Sequence, residues 1–130
     1  MPAIHHLGWA VRSIDEARDH FETALGLEFC GEERHPDVRV AFFGRGQVAV
    51  ELLEPLDGTT AVGMFIAERG EGIHHLALKV DDVAVALAEA PRHGFVPIDK
   101  APHPGSRGTV VGLVDPGRAD GVLIQYVQEP

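Results

Sequence analysis

The chain has 130 residues, 45% of them hydrophobic, with 20 acidic against 11 basic residues and a formal net charge of −9. This length and apolar content suit one domain with a core of its own, and an acidic balance with no basic stripe excludes a nucleic-acid surface. The single cysteine, Cys30, excludes an internal disulfide and fits a reducing compartment, while no cationic-then-apolar leader and no apolar run near the ~20 residues of a membrane span is present, so the expectation is a soluble, cytoplasmic protein.

In chain order, AIHHLGWAV (Ala3–Val11) reads as a strand, followed by a helix in SIDEARDHFETALGL. Ser13 and Glu16 have capping-box spacing, and Gly26 stands where a helix ends. DVRVAFFG (about 37–44) and QVAVELLE then read as strands, and VAVELLEP closes this part at Pro55. LDGTT is a loop, and TTAVGMFIAERG predicts a short connecting helix ending at Gly70. GIHHLALKV (Gly72–Val80) is again a strand. DDVAVALAEAPRHGF is again a helix, capped by Asp81 or Asp82 and ended near Pro91 and Gly94. A strand near Val96–Asp99, the Pro/Gly-rich loop APHPGSRG (101–108), TVVGLVD (109–115) and a closing strand in GVLIQYV complete the chain.

The chain is therefore written twice. Ile-His-His-Leu-x-x-x-Val begins at Ile4 and again at Ile73, an offset of 69 residues. Glu51 and Gln125 occupy matching places in the two closing strands, an offset of 74. Each half reads strand, helix, then two or three strands. The expected architecture is α+β: two paired βαβββ modules in one chain, about 3–56 and 72–130, joined by a helix at about 60–70. Side by side they form a mixed sheet with helices outside, able to curve around a cavity.

Alternate side chains of a strand point to opposite faces. His5, Leu7, Trp9 and Val11 share the bulky face that packs under a helix, and His6, Gly8 and Ala10 share the small one. Likewise His74, Leu76 and Leu78 oppose His75, Ala77 and Lys79. Glu51 opposes Val50 and Leu52, and Gln125 opposes Ile124 and Tyr126. Pseudo-symmetry then predicts that His6, Glu51, His75 and Gln125 converge. Two imidazoles and two oxygen donors suit a divalent Co, Ni, Mn, Fe or Zn ion. A lone buried carboxylate in a Val/Leu strand is costly unless paired or metal-bound, which favours a ligand role for Glu51. His5 and His74 read as ordinary hydrogen-bonded residues by the helix-packed face. His20, His35, His93 and His103 read as solvent-facing, and Trp9 and the phenylalanines as core.

The paired modules, the two HH strings and the phrases VELLEPL, ERGEGIHHLALKVDD and GVLIQYV resemble the methylmalonyl-CoA epimerase family. That family belongs to the vicinal oxygen chelate superfamily, with glyoxalases, extradiol dioxygenases and bleomycin-resistance proteins. The resemblance covers nearly the whole chain. It implies metal ligands at His6, Glu51, His75 and Gln125, a homodimer, and an acyl-CoA substrate whose enolate the metal stabilises. It also exposes a departure. The family has a glutamate at the position of Gln125, where it both ligates and serves as a proton-transferring base. An amide has no useful basicity at pH 7, which leaves Glu51 as the one carboxylate of the four. The loops depart too. Gly105-Ser106-Arg107-Gly108-Thr109 and Asp115-Pro116-Gly117-Arg118 stand where the family holds carboxylate and CoA. Arg107 and Arg118 are candidates for replacement charge, or else solvated loop arginines.

Three functions follow. The first is a divalent-metal-dependent epimerase of methylmalonyl-CoA or a related 2-substituted acyl-CoA. The second is another metalloenzyme on this scaffold (isomerase, lyase, decarboxylase or glyoxalase-type) acting on a different small oxo compound. The third is a metal-free binding module, against which stand the 6% aromatic content and the retained His6, Glu51 and His75.

Overall fold

The computed structural model describes residues 3–44, 48–118 and 120–130. Gln47, at the head of the expected strand QVAVELLE, and Met1 and Pro2, in the expected leader-free start, lie outside them. The architecture is α+β, with three α-helices and nine strands among the described residues. Two compact units form: His6–His74, and the chain up to His5 together with His75–Pro130.

In the first unit, β1 (Ala3–Ala10) leads through Ser13 into α1 (Ile14–Asp19), and the Ser13 side chain accepts the Glu16 amide. The helix continues as a π-helical turn, His20–Ala24, and Gly26 reverses the chain at φ +69°. β2 (Phe29–Arg34), β3 (Val38–Phe43) and β4 (Ala49–Pro55) follow, in the sheet order β2-β3-β4-β1. β4 runs parallel to β1, and the other pairings are antiparallel. α2 (Ala61–Arg69) is capped by Thr60 and closed by Gly70. Val11, Ile14, Phe21, Phe43 and Leu52 pack between α1 and the sheet, with half-buried Trp9 edge-on to Phe21 at 5.4 Å. On the other face Leu53, Val40 and Phe42 pack with Val62 of α2.

The second unit repeats the plan with β5 (Gly72–Lys79), α3 (Val83–Glu89), β6 (Val96–Pro97), β7 (His103–Pro104), β8 (Val110–Asp115) and β9 (Leu123–Gln128). β9 is parallel to β5, and β8 is antiparallel to β9, β6 and β7. Asp82 caps α3 by accepting the Val85 amide, and Gly94 ends the following 3-10 turn in the left-handed region. Val83, Leu87, Ala90, Val114 and Tyr126 form the core beneath α3. A Cβ on Gly112 would lie 2.8 Å from Leu87 and 2.9 Å from Val83, so its absence lets the helix settle onto β8.

Three local expectations are corrected. FCGEER, given no strand in the sequence reading, is β2: its polar side chains suit an edge position, and Arg39 of β3 bonds Glu32 across the pair. Two residues of the loop 101–108, His103 and Pro104, form β7 by pairing with β8. β6 stops at Pro97 rather than reaching Asp99, because the Ile98 and Asp99 amides both turn onto the Leu113 carbonyl. No helix among the described residues is long and apolar enough to cross a membrane.

Candidate functional site

Within the first unit, parallel pairing of β1 and β4 sets Gly8 opposite Glu51, with His6 one strand repeat earlier on the same face. Gly8 is buried and, as glycine, puts no Cβ beside Glu51. His6 Nδ1 and Glu51 Oε2 lie 3.1 Å apart, and the two residues are only 4% and 8% exposed. A carboxylate this deep among Phe42, Leu52 and Leu53 requires a charged or hydrogen-bonding partner, and the imidazole supplies one.

Within the second unit the register is the same. β5 and β9 pair in parallel with Ala77 opposite Gln125, and His75 lies one strand repeat before Ala77 on that face. His75 is 4% exposed and Gln125 is half-buried. Small residue, histidine and oxygen donor thus recur at matching steps in both units.

The first pair has the donor chemistry and spacing of two cation ligands, a spacing that its hydrogen bond alone also has. Ligand atoms about 2.1 Å from one ion and at right angles to each other sit about 3 Å apart. The separation of His6 Nδ1 and Glu51 Oε2 matches, and imidazole with carboxylate suits Co, Ni, Mn, Fe or Zn.

A His5 ring nitrogen lies within 4.8 Å of ligand atoms of His6 and Glu51, a grouping that the assignment of His5 to the helix-packed face did not anticipate. His5 is half-buried and its Nε2 lies 2.5 Å from Glu129 Oε1. His74 is buried edge-on against Phe65 of α2 at 5.0 Å, and burial pushes its pKa down to about 4, so it stands neutral at pH 7. His20 and His93 lie beside Phe21 and Phe95, and His103 Nε2 is 2.9 Å from Asp99.

The loop arginines differ from each other. Arg107 is exposed and holds φ +57°, a conformation that L-residues other than Asn and Asp seldom adopt. Arg118 is also exposed, and its Nε lies 2.9 Å from Asp120, whose carboxylate raises its pKa further and offsets its charge locally. The sequence reading did not single out Glu54 and Gln128, which accept the first helical amides of α1 and α3. Their signal was present as the repeated E-x-x-E and Q-x-x-Q of the closing strands.

The family described as the Glyoxalase/Bleomycin resistance protein/Dioxygenase superfamily matches residues 5–112. The chain is 35% identical to the uncharacterized protein YqjC of Bacillus subtilis, over 98% of this chain and 93% of YqjC. A crystal structure of the hypothetical protein BH1468 from Bacillus halodurans superposes with a TM-score of 0.91 at 35% identity, covering 99% of this chain and 95% of that one. A Streptomyces coelicolor methylmalonyl-CoA epimerase variant in complex with 2-nitronate-propionyl-CoA superposes with a TM-score of 0.88 at 28% identity, covering 99% and 96%.

Proposed function

Because the chain belongs to the glyoxalase/bleomycin resistance protein/dioxygenase superfamily, we propose that it is a divalent-metal-dependent epimerase of methylmalonyl-CoA or a related 2-substituted acyl-CoA. The carrying observation is the repeated register, in which each unit sets a buried histidine and an oxygen-bearing side chain on one strand face. In this reading His6 and Glu51 are cation ligands, and His75 and Gln125 are the matching ligand candidates of the second unit. The cation would supply Lewis-acid stabilisation of the negative charge that develops when the α-proton leaves. The likeness to an epimerase solved with an acyl-CoA analogue supports the substrate class.

The residues divide the work unequally. Epimerisation removes a proton from one face of the α-carbon and returns one to the other. Glu51 is the carboxylate available to take the proton from one face, and inversion then needs a separate proton donor on the other face. Gln125 contributes an amide oxygen and no base. Arg107 and Arg118, both in exposed loops, are the candidates to meet an anionic group of the substrate. The amide at Gln125 favours a second reading, in which the same site abstracts a single proton from a different small oxo substrate as an isomerase, lyase, decarboxylase or glyoxalase-type enzyme.

The test is to incubate the metal-loaded protein with one stereoisomer of methylmalonyl-CoA in deuterated water. Inverted product carrying deuterium at the α-carbon is expected. Exchange with retained configuration would support the single-base reading, and no exchange would overturn the substrate assignment.

A further inference from the structure

Three residues beyond each oxygen donor, the closing strand of each unit carries a side chain that reaches a helix. Glu54 Oε1 accepts the Ile14 amide, the first helical residue of α1, at 2.7 Å. Gln128 Oε1 accepts the Val83 amide, the first helical residue of α3, at 3.0 Å. A separation of three puts Glu54 on the face opposite Glu51, and Gln128 on the face opposite Gln125. Just before each helix, a backbone bond ties the same two strands. The Val11 amide donates to the Leu53 carbonyl at 3.0 Å, and the Val80 amide to the Val127 carbonyl at 2.8 Å.

We propose that Glu54 and Gln128 are positioning residues that lock the register of the parallel strand pairs, β1 with β4 and β5 with β9, on which the histidine and oxygen donors depend. The physical need is specific. A slip of one residue in a strand sends every side chain to the other face, so a slipped β4 would present Leu52 where Glu51 belongs. Parallel pairs have no tight hairpin to set their alignment. Here the chain leaves β1, turns through Ser13, and offers an amide at Ile14 that no helical carbonyl can accept. Satisfying that amide from β4 pins strand to helix from behind the site. The two halves use different groups for one task, a carboxylate at Glu54 and an amide at Gln128, because each needs only an acceptor oxygen. Glu54 also lies 3.8 Å from Arg39 of β3.

The inference rests on the proposed metal site for its functional consequence, and the test separates the two. Glu54→Gln and Glu54→Leu are compared with the unmodified protein by amide hydrogen exchange without metal and by Co2+ titration, with melting temperatures confirming that each variant is folded at the assay temperature. Gln128→Glu and Gln128→Leu are treated in the same way. The leucine variants are expected to speed exchange at Ile14 and Val11, or at Val83 and Val80, and to weaken Co2+ binding about tenfold, the scale seen when groups behind metal ligands are lost. Glu54→Gln and Gln128→Glu keep an acceptor and are expected to stay within about twofold of the unmodified protein. Folded leucine variants with unchanged exchange at these amides would overturn the register lock. Faster exchange with unchanged Co2+ affinity would overturn the positioning role. If the unmodified protein binds no Co2+, the metal reading fails, and the lock stands or falls on exchange alone.

Discussion

Protonating His74 should cost the fold a measurable share of its stability. Its imidazole is 8% exposed, packed edge-on against Phe65, and its pKa falls from 6.5 to about 4 because burial penalises the charged form. The unfolded chain therefore binds the proton more readily than the folded one between these values. Stability carried by the neutral ring is complete above pH 6.5 and is lost as pH falls toward 4. A separation of 2.5 units corresponds to about 3 kcal/mol in full, and to about 2 kcal/mol between pH 7 and 4.5. The clean comparison is with His74→Phe, which keeps an aromatic ring against Phe65 and cannot titrate. Urea unfolding of both proteins at pH 7 and 4.5, in EDTA so that metal release does not contribute, should show the unmodified protein losing about 2 kcal/mol more than the variant. Equal losses in the two proteins would refute the argument that a buried neutral imidazole carries this pH dependence.

Other outcomes test the site and the packing. His6→Ala and His75→Ala should each abolish divalent-metal binding and activity together, measured by titration and by α-proton exchange; full activity without metal in either variant would sink the ligand assignment. Gln125→Glu should raise the rate of α-proton exchange into solvent by supplying a second carboxylate; an unchanged or lower rate would show that proton transfer is not limited by the amide. Gly63→Ala should destabilise by about 1–3 kcal/mol in urea unfolding, since its Cβ would lie 2.3 Å from the Asp57 carbonyl oxygen and 2.9 Å from Gly58 Cα, so backbone must move.

What the sequence by itself determined was the plan. The repeated Ile-His-His-Leu string exposed the duplication, and both copies bury its second histidine, His6 and His75. Strand alternation assigns His5 and His6, and likewise His74 and His75, to opposite strand faces without coordinates, but it did not foresee that His5 would lie within 4.8 Å of His6 and Glu51. Ser13 and the pair Asp81 and Asp82 marked the helix starts for the same local reason, a side-chain oxygen within reach of an amide three residues on, and the fold selected Asp82. Tertiary structure alone decided the rest. FCGEER becomes β2 only because β3 offers it an edge and Arg39 a charge, and His103–Pro104 becomes β7 only because β8 runs beside it. Arg118 was legible as a loop cation, and the fold set Asp120 beside it. Glu54 and Gln128 looked like polar ends of strands until the helices arrived with unsatisfied amides. Local rules act within a few residues of chain, whereas these outcomes depend on which distant groups packing brings within hydrogen-bonding reach.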